Sequence, residues 1–470
     1  MDSMPRQLLE MVDGSRVVVP DSIELVTPYV LRERGDWFED EIRFVRRALE
    51  PGQRAIDIGA NYGLFTLSMA RSVGPGGHVW AFEPASATAS FLEASLRESA
   101  VANVTLRRAG VSSRAGTAEL SLNASPELNE IVRGGGSRGP TERIELCSLD
   151  ELDAAGTWDR VDFLKIDAEG EELRIIEGAG SFLRRHSPLI QVEVMAGTKT
   201  SLEPVRAFLR LGYQAYRLVP GLGVLVPFDL REPVDAFTLN LMCCRADRAR
   251  QLAARALLVE PADLPPSPGP DVLAGRNSDG RYHWPTSMAG FDYVRMLSGS
   301  WAGGARTNER AQVERALSMF ALSRDADVPP RDRFLSLRRS LELMQKAASV
   351  PEFMRRASLA RVAGAFGARL QAVTALDALA RSAADQRGFD FSEPFLAPCE
   401  RFERIPVAGR EHDWALAAVL EEFECLQSHS SFYSGPASVG RLQAIAQLGF
   451  ASPEMQRRLE LVRARLAARG

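Results

Sequence analysis

The stretch Ala55-Ile56-Asp57-Ile58-Gly59-Ala60-Asn61-Tyr62-Gly63-Leu64-Phe65-Thr66 constrains this chain most. An apolar run ends in a Gly-x-x-x-Gly turn and resumes with helical spacing through Leu67, Met69 and Ala70. That pattern predicts a buried strand, a tight turn and a helix, the opening unit of a nucleotide-binding α/β fold. Glycine lets backbone pass close beneath a ligand, and the new helix N-terminus offers free N–H groups and a partial positive charge.

A second strand, His78-Val79-Trp80-Ala81-Phe82, runs into Glu83-Pro84. A carboxylate about twenty residues beyond a glycine turn accepts hydrogen bonds from ribose hydroxyls, so the expected ligand carries an adenosine-like ribose. A dinucleotide fingerprint would read Gly-x-Gly-x-x-Gly, but Asn61 stands between these glycines and Thr66 replaces the third. Asp57, just before the turn, would repel a pyrophosphate and suits a cationic sulfonium. The expected cofactor is therefore S-adenosyl-L-methionine (SAM), set against a dinucleotide or an empty structural turn.

At 470 residues the chain is too long for one ordinary core, and two domains are expected. Net charge is −4, so no global field draws it to nucleic acid. Arg supplies nearly all the positive charge, as Lys165, Lys199 and Lys346 are the only lysines, which reads as codon bias of a GC-rich genome. No secretory signal is legible at Met1–Arg6, and no apolar run reaches bilayer length, so membrane insertion is not expected. The five cysteines, Cys147, Cys243, Cys244, Cys399 and Cys425, lack Cys-x-x-Cys spacing and read as thiols of a bacterial-type cytosol. The five histidines lack a His-x-x-x-His pair, so no metal is expected.

Four regions are expected. Residues 1–50 carry short strands (Val17–Val19, Ile23–Val26) and a lid-like helix opened by an Asp36 N-cap, with Trp37 and Phe38 either packed in the core or covering a ligand. Residues 51–258 alternate strand and helix, which implies a mostly parallel sheet covered on both faces. Its later strands are Val104–Val111, Val161–Asp167, Leu189–Val194 and Phe237–Met242, the last antiparallel and at an edge. Ala118–Leu122 and Arg143–Leu146 are extra strands around the loop Gly134–Ser137, which is either mobile or ordered over substrate. Residues 259–288 are a Pro/Gly-rich linker, and 289–470 an all-α domain with helices beginning near Arg310, Arg331, Pro351, Asp413, Ser438 and Ser452. That domain serves oligomerisation or docks an acceptor or partner enzyme.

In an open α/β sheet, ligands bind beyond the carboxyl ends of the strands. The strand ends supply Asp57, Gly59, Asn61, Gly63, Thr66, Glu83, Val111, Ser112, Ser113 and Asp167 as cofactor-site candidates. A protonated hydroxyl is a poor nucleophile, and Asp167 and Glu193 are the positional candidates for a base. Glu169, Glu171 and Glu172 suit the positive end of a helix.

Asp57-Ile58-Gly59-Ala60-Asn61-x-Gly63-x-x-Thr66, Phe82-Glu83-Pro84, Lys165-Ile166-Asp167-x-Glu169-Gly170-x-Glu172 and Glu177-Gly178-Ala179 together resemble the FkbM-like methyltransferase family, over about Asp36 to Glu193. The resemblance implies a Rossmann-like class I methyltransferase fold. It implies that Gly59, Asn61, Gly63 and Glu83 contact SAM and that Asp167 lies at the transfer site. The family chiefly O-methylates sugars, polyketides and other secondary metabolites. Ser113 departs from the Asp often found there, which weakens any contact to an adenine amine. The function expected is cytoplasmic O-methylation of a sugar in a bacterial surface glycan or glycolipid. The alternatives are N- or O-methylation of a peptide or polyketide, and a non-catalytic SAM-binding adaptor.

Overall fold

A computed structural model describes residues 5–123, 125–132, 139–196, 199–264, 280–302, 307–348, 353–384 and 389–469. The loop Gly134–Ser137 and the Pro-rich run 265–270 lie outside the described residues. The chain divides into two compact units: residues 1–218, 225–234 and 238–258 form the first, and 219–224, 235–237 and 259–470 the second.

The first unit is built on an eight-stranded sheet. Its strands are β1 (Arg54–Ile58), β2 (His78–Phe82), β3 (Val104–Arg107), β4 (Phe163–Ile166), β5 (Leu189–Glu193), β6 (Gln214–Val219), β7 (Val224–Pro227) and β8 (Asn240–Cys244). They lie in the order β7-β6-β8-β5-β4-β1-β2-β3. The five strands from β3 to β5 run parallel, and β8 is antiparallel to both its neighbours. Central strands of a parallel sheet are covered on both faces, which explains their nearly unbroken apolar sequence. Side chains alternate between faces. Ala55, Phe163, Leu189 and Met242 join the core beneath helices α2 (Asp40–Ala48) and α3 (Leu64–Val73). Ile56, Ile58, Leu164, Ile166, Ile190 and Val192 join the opposite core with Phe182, Val205 and Phe208. The same alternation puts Asp57, Lys165, Gln191, Glu193 and Asn240 on the face that α2 and α3 cover.

The N-terminal region differs from expectation in two places. A hairpin pairs Arg6–Glu10 with Arg16–Pro20, but Ile23–Val26 is not a strand and instead leads into helix α1 (Val26–Arg34). Pro28 sits in the first turn of that helix, where a missing N–H costs no hydrogen bond, and Gly35, at φ 71°, closes it. Asp36 does not cap α2. Its carboxylate holds Arg46 through bonds of 2.7 and 2.8 Å, and the N-cap position falls to Glu39.

Two further corrections concern the sheet. The expected strand Val104–Val111 is broken: β3 ends at Arg107, while Gly110–Val111 pairs with Thr141–Cys147 in a separate three-stranded sheet completed by Gly116–Ser121. The last strand, β8, is antiparallel but interior, flanked by β5 and β6. β6 and β7 have no counterpart in the sequence reading, because their short apolar runs are interrupted by Arg217 and Gly221–Gly223.

The described residues of the second unit are mainly helical from Trp284 onward, the longer helices including Asn308–Arg324, Pro330–Ala347, Phe353–Phe366, Arg369–Ala384, Glu411–Leu426 and Pro453–Arg469. Tyr293, Trp301, Phe395 and Trp414 form a buried aromatic core. The irregular stretch around 391–405 threads through it, its carbonyls capped by Tyr293 Oη (2.8 Å to Phe395), Trp301 Nε1 (2.8 Å to Phe391) and Trp414 Nε1 (3.0 Å to Ile405). Buried backbone acceptors need such donors. No helix among the described residues is long and apolar enough to cross a membrane.

Candidate functional site

The turn after β1 is bolted to the end of β2. Gly59 N–H and Ala60 N–H both donate to the Phe82 carbonyl, each at 3.0 Å. Gly59 (φ 78°) and Gly63 (φ 94°) hold left-handed backbone. A Cβ on Gly59 would lie 1.8 Å from the Asp167 carbonyl oxygen, so this glycine is required by close approach of protein to protein, not only of protein to ligand. Asn61, at φ 49°, tolerates the left-handed region as few other residues do.

Glu83 sits against this turn. Asn61 N–H donates to its Oε2 and Ala85 N–H to its Oε1, each at 2.9 Å. Burial pushes the Glu83 carboxyl up to about 7, against the opposing pull of those two backbone donors. Among the described residues, Asn61 Oδ1 and the Tyr62 hydroxyl are buried without a hydrogen-bond partner.

Asp57 and Thr66 lie beneath the turn rather than on it. Both are fully buried, and Thr66 Oγ1 donates to Asp57 Oδ2 at 2.5 Å. Lys165 Nζ lies 3.9 Å from Asp57 and 2.7 Å from Asp167, and 5.0 Å from the centre of the Phe65 ring. Burial alone would depress the Lys165 ammonium, but Asp167, Asp57 and Glu39 outweigh it and hold it above its ordinary range.

Beyond the ends of β4 and β5, carboxylate oxygens of Asp167, Glu169 and Glu193 lie within 4.8 Å of one another. Burial, then the charges of Asp167 and Glu169, push Glu193 far above the usual carboxylate range. Burial and Asp167 push Glu169 up to about 8. Like charges this close cannot all ionise in a desolvated site. Their oxygens are close enough to converge on one donor or cation. Glu172 shapes the loop instead, its carboxylate accepting the Ala168 and Gly170 N–H groups at 3.3 and 3.1 Å. Glu171 accepts from Ser112 Oγ at 2.8 Å. Val111 is buried at the end of its strand in the smaller sheet and Ser112 just beyond it, and the carbonyls of Ser112 and Ser113 pack against Gly178.

Two participants have no signal in the sequence. Glu39 Oε1 accepts from Trp37 Nε1 at 2.9 Å, and its Oε2 from Asn240 Nδ2 at 2.8 Å. Glu127 accepts from Thr27 Oγ1 at 2.7 Å, and its charge reaches Tyr62 and Glu169. Asn240 is 201 positions from Glu39, so no local pattern marks that pair.

The arrangement fits a cationic, polyhydroxyl ligand: Glu83 can accept from ribose hydroxyls, the orphaned Asn61 and Tyr62 atoms await polar partners, and the surrounding charge is negative. A sheet of this order, with a glycine turn after β1 and a carboxylate closing β2, defines a Rossmann-like, SAM-dependent methyltransferase fold.

Residues 57–216 match the model of the Methyltransferase FkbM domain, and this stretch is an FkbM-type methyltransferase domain. "Methyltransferase sdnD" of Sordaria araneosa is 32% identical over 155 residues, which cover 26% of this chain and 59% of that relative. A crystal structure of Methyltransferase FkbM from Methylobacillus flagellatus is 16% identical and covers 43% of this chain and 50% of its own, at a TM-score of 0.29. A SAM-dependent O-methyltransferase from Thermotoga maritima is 17% identical over 51% of this chain and 78% of its own, at a TM-score of 0.26.

Proposed function

We propose that this protein is a SAM-dependent methyltransferase whose acceptor is a hydroxyl, on a sugar of a bacterial glycan or glycolipid. The observation that carries the reading is the carboxyl group pair of Asp167 and Glu193, set at the ends of adjacent strands on the same sheet face, beside the Glu83 turn. SAM, when bound, supplies a methyl group on a sulfonium, already an excellent leaving group. Glu83 and the turn from Gly59 to Gly63 would hold it.

The protein must then orient the acceptor, exclude water and take one proton. In this reading Asp167 accepts it. Lys165 fixes one of its oxygens at 2.7 Å, and Glu193, whose carboxyl burial and the Asp167 charge push well above the usual carboxylate range, shares a hydrogen bond with it. Carboxylates accept hydrogen bonds from several hydroxyls, which suits a polyol. The same negative surroundings suit an amine, and N-methylation is the second reading.

Transfer of labelled methyl groups from SAM to a panel of methyl glycosides and amino glycosides tests the proposal. Turnover lost in Asp167→Asn and reduced in Glu193→Gln, with SAM still bound, is the expected result. SAM binding without turnover on any acceptor, together with cellular function indifferent to both substitutions, would instead make the protein an adaptor.

A further inference from the structure

We propose that Glu39 is a specificity-determining residue of the transfer site. With Asp167 and Glu193 it closes the acceptor end with a wall of carboxyl groups, which admits neutral or cationic hydrogen-bond donors and turns away carboxylates and phosphates. This inference rests on assignment of the site to methyl transfer.

Three observations place Glu39 there. Asn240 is the direct cross-strand partner of Glu193, so the 2.8 Å bond from Asn240 Nδ2 brings the Glu39 carboxylate beside Glu193. Trp37 Nε1 holds its other oxygen at 2.9 Å, and the Trp37 ring packs against Phe38 at 4.3 Å, tilted by 33°, so the connection between α1 and α2 presents Glu39 in a fixed pose. Asp167 and Lys165 both act on the Glu39 carboxyl, and burial with the Asp167 charge raises it above its ordinary range.

Each Glu39 oxygen has a lone-pair direction left after its one bond to Trp37 or Asn240. Those directions accept hydrogen bonds and have nothing to donate while the group is ionised. Among the described residues of this cluster, Lys165 is the cation, and it is already shared between Asp57 and Asp167. An acceptor carrying its own anion would meet the Lys165-paired Asp167 and the Glu39 carboxylate with no free positive partner. A purely packing role for Glu39 predicts no such charge preference.

The test needs no knowledge of the natural acceptor. SAM analogues with a tertiary amine in place of the sulfonium can carry a methyl, 2-hydroxyethyl, 2-aminoethyl or carboxymethyl arm where the transferable methyl sits. Calorimetry on the full chain should show the hydroxyethyl and aminoethyl arms bound at least about tenfold tighter than the carboxymethyl arm. Glu39→Gln should reduce that ratio by about threefold or more, and Glu39→Asp should restore most of it. If Glu39→Gln does not fold, Trp37→Phe, which removes one of the two donors holding the carboxylate, should shift the ratio in the same direction. A carboxymethyl arm bound as tightly as the others, with or without added Mg²⁺, or a ratio indifferent to Glu39, overturns this proposal alone. Failure of folded wild type to bind the parent overturns the methyltransferase reading and this proposal with it.

Discussion

Glu83 uses both carboxylate oxygens to fasten the turn and the start of the next helix. Charge-assisted hydrogen bonds contribute about 1.5–3 kcal/mol each, so Glu83→Gln should weaken SAM binding roughly tenfold to a hundredfold. With its carboxyl at about 7, Glu83 gains a proton as pH falls below neutral. SAM affinity should therefore drop between pH 8 and pH 6 in wild type and stay nearly flat in Glu83→Gln, as read by calorimetry. Glu169 gives a stability prediction. Its carboxyl is raised from 4.5 to about 8, so between those values the folded chain holds the proton that the unfolded chain has lost. Stability from this group is present at low pH and disappears as pH rises toward 8. His78, lowered by burial, works in the opposite direction only below 6.5. Glu169→Gln should raise the melting temperature at pH 8.5 by about 2–4 °C, and by less at pH 5.5. At this scale the sequence discloses Glu83, Asp167 and Glu193, because each ends an apolar run. It hides Glu39 and Glu127, whose partners come from other parts of the chain.

The elements explain why the strand-turn-helix is legible and its surroundings less so. β1, the turn and α3 are encoded within about twenty contiguous residues, and burial on both sheet faces leaves an apolar run that cannot be misread. Ile23–Val26 has the same β-branched look, yet Pro28 and Gly35 make the segment a helix, and the punctuation outweighs propensity. The strand after Val104 reads as continuous because Arg107-Arg108-Ala109 carries no breaker and Gly110 stands alone between apolar neighbours. Only pairing with Leu146 and Cys147 shows that the chain leaves the main sheet. The turn has a prediction of its own. Gly59→Ala would place a Cβ 1.8 Å from the Asp167 carbonyl and impose φ 78° on an L-residue, so β1 and β4 would have to separate at their ends. A loss of about 3 kcal/mol or more in chemical denaturation is expected, with Asp167 displaced and turnover lost.

At the scale of the whole molecule, two units carry different kinds of information. The first unit is legible because its chemistry follows strand order. The second has amphipathic helices whose starts near Arg310, Arg331 and Ser452 are readable. Its core depends on aromatic donors from Tyr293, Trp301 and Trp414 that meet an irregular segment through its backbone carbonyls, which leaves no mark in apolar spacing. Arg355 and Glu393 form a two-point ion pair at 2.7 and 2.9 Å, and both are buried. Arg355→Ala leaves a buried charge unpaired and should destabilise the helical unit by about 3–5 kcal/mol in denaturant titration. The central claim belongs to the first unit: that its glycine turn and Glu83 hold SAM. Calorimetric titration of wild type and Glu83→Ala with SAM, S-adenosylhomocysteine and NAD tests it most directly. We expect SAM and S-adenosylhomocysteine to bind wild type, both to be lost or strongly weakened in Glu83→Ala, and NAD not to bind. Binding of NAD, or no binding of SAM by folded wild type, would contradict it.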